Sequence, residues 1–174
     1  MGAARTRGMT EQSIIVRTGT PADVHDMMEL ARLATEENGL VKPNKIKLLQ
    51  DIWAALNLER GIVGIIGEPG TVPEAAILLR IDEIQYGDDP CILEKAIYVH
   101  PDFRSAKGGR AAKLCDFALD MQKQFDMPLV IGILSNDRTE AKVRLYERKF
   151  GHAHGAYWII GAKTGQWVGE VAPE

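Results

Sequence analysis

The fold of this chain is decided by one stretch, Glu94-Lys95-Ala96-Ile97-Tyr98-Val99-His100-Pro101-Asp102-Phe103-Arg104-Ser105-Ala106-Lys107-Gly108-Gly109-Arg110-Ala111, which runs on to Cys115. It predicts a β-strand that ends at His100-Pro101, a turn, and the start of a helix. A helix N-terminus presents unpaired backbone N–H groups and the positive end of the helix dipole, which together bind phosphate. Gly108 and Gly109 would let the backbone approach an anion. Positive charge would come from Arg104, Lys107 and Arg110. A pyrophosphate site is therefore one interpretation, and a turn that binds no ligand is the other.

The rest of the chain predicts elements in the order β-α-α-β-β-β-α-β-α-β. Short β-branched or apolar runs predict the strands, and apolar residues at helical spacing predict the helices. Three consecutive strands flanked by helices indicate a mixed sheet, antiparallel in the middle, with helices on both faces. The predicted strands are 13–17, 61–67, 75–84, 91–100, 128–134 and 156–160, and the predicted helices are about 20–38, 43–58, 108–125 and 137–149.

Length and composition indicate an ordinary globular chain. Its 174 residues fit one domain, for which we predict residues 13–174, with residues 1–12 as a flexible tail. The net charge of −3 favours neither nucleic acid nor an anionic membrane as a general partner, and no apolar run is long enough to span a bilayer. Cys91 and Cys115 are predicted to be buried free thiols, which suits the cytoplasm. We predict no metal site, because His25, His152 and His154 have no metal-binding spacing.

The quoted stretch resembles motif A of the GNAT acetyltransferase superfamily, which has Val-x-Pro-x-(Tyr/Phe)-Arg-x-x-Gly-x-(Gly/Ala) at this place. Val99, Pro101, Phe103, Arg104 and Gly109 match that pattern. The first glycine position of the motif holds Lys107 instead. Three interpretations stay open: a loop one residue longer in which Gly108 replaces the glycine, direct contact of Lys107 with the phosphates, or weakened cofactor binding.

The resemblance extends to the order of the elements over about residues 13–161. It implies an α/β, GNAT-like single domain whose mixed, mostly antiparallel central sheet is flanked by helices and splayed between strands 4 and 5. It also implies acetyl-CoA as cosubstrate, with the backbone of the fourth strand pairing with the pantetheine arm as an added strand would. The predicted cofactor-binding residues are Ile97, Tyr98, Val99, Arg104, Ser105, Lys107, Gly108, Gly109, Arg110 and Asn136.

A second motif lies near the end of the chain. Leu145-Tyr146-Glu147-Arg148-Lys149-Phe150-Gly151 is similar to the Leu-Tyr-Glu-Lys-x-Gly-Phe ending of GNAT motif B, with His152 in place of the final aromatic residue. By resemblance, Tyr146 protonates the leaving thiolate. The alternative is a tyrosine that only packs beneath a strand. Thr139 occupies the usual asparagine position of the family, so Asn136, three residues earlier, is either a cofactor ligand or a helix cap.

Glu94 is the candidate general base, because an ammonium must lose a proton before its nitrogen can attack. It lies in an otherwise apolar run, which could raise its pKa toward neutrality. The alternative is a glutamate at an exposed strand end, paired with Lys95 or Arg80. His100 is a weaker candidate, since its turn position usually faces water. Four further carboxylates could make the acceptor side acidic or could be solvated surface charges: Glu36, Glu37, Asp82 and Glu83.

The sequence thus predicts an N-acetyltransferase that moves the acetyl group of acetyl-CoA to a primary amine by direct attack in a ternary complex. Tyr146 and Glu94 would be its catalytic residues, and a homodimer is possible by resemblance. The alternative is a catalytically silent GNAT-fold module that senses CoA or binds proteins, which the departures at Lys107, Thr139 and His152 support. A generic phosphate-binding α/β domain would alternate strands with helices, and the three consecutive strands argue against it.

Overall fold

The computed structural model describes residues 14–84, 87–104, 109–134, 139–155, 158 and 160. Its helices are α1 (Val24–Asn38), α2 (Lys45–Leu56), α3 (Arg110–Phe125) and α4 (Thr139–Phe150), with 3₁₀ turns at Pro21–Asp23 and Pro101–Phe103. Its strands are β1 (Arg17–Thr18), β2 (Gly61–Ile66), β3 (Ala75–Glu83), β4 (Pro90–Val99) and β5 (Leu129–Val130).

The five strands form one sheet in the order β1-β2-β3-β4-β5. The first three pairings are antiparallel, and β4 pairs with β5 in parallel. The parallel pairing is short, because only Ile92 with Leu129 and Leu93 with Val130 are in register. Beyond Leu93, β4 has no partner on that side among the described residues. The mixed sheet and its splay between strands 4 and 5 are therefore confirmed.

A bulge in β4 lies where the strand leaves β5. Leu79 of β3 is opposite Glu94, but the next residue, Leu78, is opposite Ala96, so Lys95 is left without a cross-strand partner. Such a bulge bends a strand and increases its local twist. Residues directly opposite each other in an antiparallel pair lie on the same face. Glu94 therefore lies on the face of Leu79, which is the face that α3 covers.

The core has one layer on each face of the sheet. Helices α1 and α2 cover one face, where Leu30 and Leu56 pack with Val63 and Ile65. Helix α3 covers the other face, where Leu114, Phe117 and Ala118 pack on β3 and β4. A Cβ atom at Gly64 would lie 2.7 Å from the Phe117 ring, so only glycine lets α3 come this close to β2. Cys91 and Cys115 are buried free thiols, as predicted.

Local side-chain contacts explain where the first helices begin and end. Asp23 accepts two hydrogen bonds from Arg17 and one from the Thr20 N–H, so the chain entering α1 is tied to β1. Asn44 caps α2 by accepting from the Lys47 N–H, and Gly39 ends α1 in the left-handed region at φ 57°. None of the helices in the described part of the chain combines the length and the apolar character that a membrane span needs.

Three predicted elements differ from the structure or fall outside it. The first strand was predicted at 13–17 but comprises Arg17–Thr18, and the fifth was predicted at 128–134 but comprises only Leu129–Val130, because β4 turns away. The predicted last strand, 156–160, lies mostly outside the described residues; Trp158 and Ile160 are exposed and not assigned to a strand. The predicted tail, 1–12, also lies outside the described residues.

Candidate active site

A cleft of about 520 Å³ opens where β4 diverges from β5. Its walls are the end of β4, the first turn of α3, and α4, with one side chain from the end of α1. The divergence of two neighbouring strands creates this space, because no strand in the described part of the chain fills the gap that the bend in β4 opens. Seven predicted site residues line the cleft: Ile97, Tyr98, Val99, Arg104, Gly109, Arg110 and Tyr146.

Four other predicted cofactor-binding residues lie outside the described residues: Ser105, Lys107, Gly108 and Asn136. Their roles remain predictions, and so do the three interpretations of Lys107. Two charged residues that the sequence analysis did not select, Lys142 and Arg148, line the cleft from α4. Lys142 precedes Tyr146 by four residues on a helix, and that spacing was the signal that could have identified it.

Positive charge predominates in the lining. Among the described residues that line the cleft, the cationic side chains are those of Arg104, Arg110, Lys142 and Arg148, and the one carboxylate is that of Glu37. A concave surface with an excess of one charge concentrates ligands of the opposite sign. The cleft as a whole thus suits an anionic ligand, although the chain has a net negative charge.

Arg104 is held at the end of β4 by three contacts. Its Nη2 donates to Glu37 Oε2 at 2.6 Å, its Nε donates to the Val99 carbonyl at 2.7 Å, and its guanidinium lies 4.9 Å from the centre of the Tyr98 ring. The Tyr98 hydroxyl donates to the same Glu37 oxygen at 2.9 Å. Burial works against ionisation of Glu37, but the hydrogen bonds from Arg104 and Tyr98 outweigh it and lower the pKa of this carboxyl. Glu37 is therefore a permanent anion that holds Arg104.

Arg110 is held in a similar way at the start of α3. Its Nε donates to Glu74 Oε2 at 2.7 Å, and its guanidinium lies 5.0 Å from the centre of the Phe103 ring. Gly109 precedes the helix in the left-handed region at φ 59°, which glycine adopts without strain. The first turn of α3 contains no acidic residue, and its start lines the cleft. Its backbone N–H groups are thus available to an anion.

Tyr146 is buried at the inner side of the cleft. Its side chain is 9 % exposed, it packs edge-on against Phe150, and its hydroxyl makes no hydrogen bond to any residue that the structure describes. Burial raises the pKa of the phenol, and the nearby Glu94 and Cys115 add to this rise. A buried hydroxyl without a partner is uncommon in native proteins and calls for an explanation. Tyr146 is thus a protonated donor for which the described residues provide no acceptor.

Glu94 lies on the α3 face of β4 and is not among the residues that line the cleft, but it is near enough for its charge to raise the pKa of the Tyr146 phenol. Burial raises the pKa of its carboxyl to about 7, against the opposing effects of the Gly132 N–H and of the Lys142 charge. The Gly132 N–H lies 3.3 Å from Glu94 Oε2. The alternative pairing of Glu94 with Arg80 is wrong, since Arg80 Nη1 donates to Asp51 at 2.7 Å on the other face. The Glu94 carboxyl therefore changes its charge near neutral pH.

The remaining candidates do not contribute reactive groups. His100 Nδ1 accepts from the Asp102 N–H at 3.3 Å, so it caps the turn after β4. Burial raises the pKa of the Cys115 thiol to about 12, which keeps it a neutral, unreactive thiol. Among the described residues, no three His, Cys, Asp or Glu side chains are grouped so that they could hold a metal ion.

Comparison with known proteins identifies the fold. No protein-family model matches the sequence, and no match is found among curated protein sequences. Solved structures do match. The aminoglycoside N-acetyltransferase AAC(6')-Iy in complex with CoA has 13 % identity and a TM-score of 0.65, and the match covers 87 % of this chain and 96 % of that one. The same enzyme with the bisubstrate analogue CoA-S-monomethyl-acetylneamine has 14 % identity, a TM-score of 0.64, and coverage of 87 % and 99 %.

A ribosomal-protein-alanine N-acetyltransferase from Brucella melitensis biovar Abortus 2308 matches with 16 % identity and a TM-score of 0.60, over 86 % of this chain and 99 % of that one. Identities this low carry no information about the acceptor. They show that the chain has the GNAT acetyltransferase fold, as its sequence predicts.

Proposed function

We propose that this chain, whose fold is that of the GNAT acetyltransferases, transfers the acetyl group of acetyl-CoA to a primary amine in a ternary complex. The observation that supports the proposal is the pair formed by Tyr146, which lines the cleft, and Glu94, which lies outside the cleft lining on the α3 face of β4. Tyr146 is a buried phenol without a hydrogen-bond partner among the described residues, and it is near Glu94, whose pKa is about 7. Burial raises the pKa of both groups, so the carboxyl can accept a proton near neutral pH while the phenol keeps its own, which suits the base and the acid of one reaction.

The cleft has features that fit acetyl-CoA. The edge of β4 at Ile97, Tyr98 and Val99 faces the gap left by β5, so its backbone could pair with an extended pantetheine chain. The N-terminus of α3 and the excess of cationic side chains suit the pyrophosphate. One contact would have to change, because the Val99 carbonyl accepts from Arg104. Ser105, Lys107, Gly108 and Asn136 remain predicted ligands.

Each catalytic residue has a defined task in this proposal. Acetyl-CoA supplies a thioester, whose carbonyl is open to attack by an amine. Glu94 takes the proton from the acceptor ammonium, and its pKa of about 7 makes it a base at neutral pH. Tyr146 keeps its proton until the sulfur departs and then donates it, because its pKa is raised. We place this activity in the cytoplasm, where buried thiols stay reduced; a homodimer remains a prediction.

A silent CoA-binding module is the second candidate, and one observation favours it. Arg104 and Arg110, which the sequence predicts to bind the cofactor, form ion pairs with Glu37 and Glu74. A protein that only senses CoA could keep these pairs as a switch. Such a module has no need for a base near Tyr146, however, so the enzyme is the better-supported proposal.

The test combines binding with turnover. Calorimetric titration with acetyl-CoA is followed by release of free thiol in the presence of a panel of primary amines. We expect Tyr146→Phe to lower kcat by about 10²-fold or more while the Kd for acetyl-CoA stays the same. Glu94→Gln should do likewise, and Glu83→Gln, on the exposed end of β3, is its control. Full turnover by Tyr146→Phe would remove the phenol from the mechanism, and binding without turnover on any amine would favour the module.

A further inference from the structure

Glu37, at the end of α1, is an exception in the cationic lining of the cleft. Among the described residues that line the cleft, it supplies the one carboxylate, and four cationic side chains share the lining with it. The cations suit the phosphates of acetyl-CoA, whereas a carboxylate suits a positively charged group. Glu37 therefore gives the cleft a place at which a cationic part of an acceptor can bind.

Two donors hold the Glu37 carboxylate, and both use the same oxygen. Arg104 Nη2 donates to Oε2 at 2.6 Å, and the Tyr98 hydroxyl donates to it at 2.9 Å. Neither bond uses Oε1, which can accept from a further N–H group. Burial and the hydrogen bond to Glu37 raise the pKa of the Tyr98 phenol to about 12, so the phenol keeps its proton at neutral pH. Tyr98 therefore orients the carboxylate whether or not Arg104 stays on it.

The ionisation of Glu37 depends on Arg104. Burial works against ionisation of this carboxyl, and the hydrogen bonds from Arg104 and Tyr98 outweigh it. The sequence predicts that Arg104 binds the cofactor, and a guanidinium that turns toward the phosphates leaves Tyr98, a neutral donor, as the other member of this pair of donors on Glu37. A half-buried carboxylate that loses its cation is destabilised, because its desolvation is no longer offset. A second cation at Glu37 removes this cost.

Glu37 and the proposed base, Glu94, lie at different ends of the strand segment that borders the gap. Arg104 bonds both Glu37 and the Val99 carbonyl, so Glu37 is beside the last residue of β4, and Tyr98, its second donor, lies on the face that α1 covers. Glu94 is on the α3 face, five residues before Val99 and roughly 15 Å from it along the strand. One amino group therefore does not serve both carboxylates, and a ligand of both needs two.

We propose that the acceptor is a diamine or polyamine, one ammonium of which replaces Arg104 on Glu37 while another amino group takes the acetyl group. This substrate class rests on the proposed acetyltransferase function. Glu37 is then a residue that determines specificity, and Arg104 couples the two substrates. When acetyl-CoA binds Arg104, it frees Glu37 for the acceptor, and linkage requires the acceptor to tighten binding of the CoA moiety by the same factor.

The first experiment measures this coupling in the full chain by calorimetric titration with CoA, which has no acetyl group to transfer. The titration is repeated with saturating 1,4-diaminobutane, 1,7-diaminoheptane or 1,10-diaminodecane, and with the amino alcohol of each chain length, whose far end is uncharged. With the diamine that spans the cleft best, we expect a Kd for CoA lower by about 5-fold or more than with its amino alcohol. Glu37→Gln should abolish this difference. Glu36→Gln, which removes an exposed partner of Arg32, should keep it.

The second experiment compares turnover of the same diamines and amino alcohols with acetyl-CoA. We expect the KM of the best diamine to be lower than that of its amino alcohol by about 10-fold or more, since a hydrogen bond to a charged group is lost in the alcohol. The two kcat values should be similar, because the far ammonium binds the substrate but takes no part in the chemistry. In Glu37→Gln the KM of the diamine should rise to that of the amino alcohol.

Two results would overturn this substrate class while leaving the acetyltransferase function intact. One is equal KM values for diamine and amino alcohol at every chain length, which would show that a group of the chain itself replaces Arg104. The other is a preference for the diamine that survives in Glu37→Gln. A chain that does not bind CoA, or that binds it and turns over none of these amines, would overturn the acetyltransferase function itself, so the two failures are distinguishable.

Discussion

Removal of the Glu37 charge tests whether Arg104 must leave its ion pair when acetyl-CoA binds. In the structure, Arg104 bonds both Glu37 and the Val99 carbonyl, which belongs to the strand edge proposed for the pantetheine arm. If Arg104 turns toward the cofactor, breaking the ion pair opposes binding. Glu37→Gln keeps the shape of the side chain but weakens its hold on the guanidinium, so the mutation should tighten binding of acetyl-CoA.

The size of the effect follows from the geometry. A hydrogen bond to a charged group contributes about 1.5–3 kcal/mol. The Arg104 and Glu37 side chains are 16 % and 27 % exposed, so solvent screening reduces this figure, and glutamine retains part of the bond. A loss of about 1–2 kcal/mol remains, which corresponds to a Kd for acetyl-CoA lower by about 5- to 30-fold.

The assay is calorimetric titration of the full chain with acetyl-CoA. Glu36→Gln is the matched control, because Glu36 is the preceding residue, pairs with Arg32 of α1, and is 48 % exposed. It should change Kd by less than about 2-fold, since an exposed pair contributes ~1 kcal/mol or less even to stability. A Kd that is unchanged or higher in Glu37→Gln would refute the reasoning and show that Arg104 stays on Glu37 when the cofactor binds.

Four further predictions concern catalysis and stability. Because Glu94 acts as a base with a pKa of about 7, kcat/KM should rise with pH through about 7 and then stay constant. A flat profile, once the acceptor's own ionisation is subtracted, would exclude Glu94 as the general base. The pKa of Glu94 is higher in the folded chain than in the unfolded chain, so this carboxyl lowers the free energy of unfolding as pH rises from about 4.5 to 7. Glu94→Gln should therefore stabilise the chain by about 1–3 kcal/mol at pH 8 but not at pH 4, which thermal unfolding at the two pH values measures. The hydrogen bonds from Arg17 lower the pKa of Asp23 to about 2. Asp23→Asn should therefore lower the free energy of unfolding in urea by about 2 kcal/mol at pH 7, and the difference from the unmutated chain should shrink as pH falls from about 4 toward 2. Gly64→Ala places a methyl group 2.7 Å from the Phe117 ring and should cost about 1–3 kcal/mol; an unchanged urea midpoint would show that α3 can shift.

Local sequence signals predicted most elements to within a few residues. Helix α2 was predicted at 43–58 and comprises Lys45–Leu56, and strand β3 was predicted at 75–84 and comprises Ala75–Glu83. Periodicity, caps and turn residues act over a few positions, so they can be read from a short window. The prediction made β1 and β5 too long. The ends of these two strands depend on where their partner strands lie, and a short stretch of sequence does not contain the positions of partner strands.

The candidate site likewise has features that follow from local sequence and features that depend on residues distant in the chain. Motif residues identified Tyr146 and Glu94 and placed Arg104 and Arg110 after β4, but the partners of these side chains are remote in sequence. Arg104 bonds a carboxylate 67 residues away, and Arg110 bonds one 36 residues away. Such pairings exist only because α1 and β3 pack beside the end of β4. The sequence analysis assigned both arginines to the cofactor phosphates, whereas the structure places each of them on a glutamate.

The stretch from Glu94 to Arg110 determined by itself that a strand, a turn and a helix start follow one another, since these depend on local backbone preferences. Only the tertiary structure decided that Glu94 is half-buried on the α3 face of β4, near enough to raise the pKa of Tyr146. Burial and distance set the pKa of a carboxyl, and both arise from β4 bending away from β5 and from α4 packing across the gap. The sequence therefore identified the groups, and the packing of distant elements gave them their acid, base and charge character.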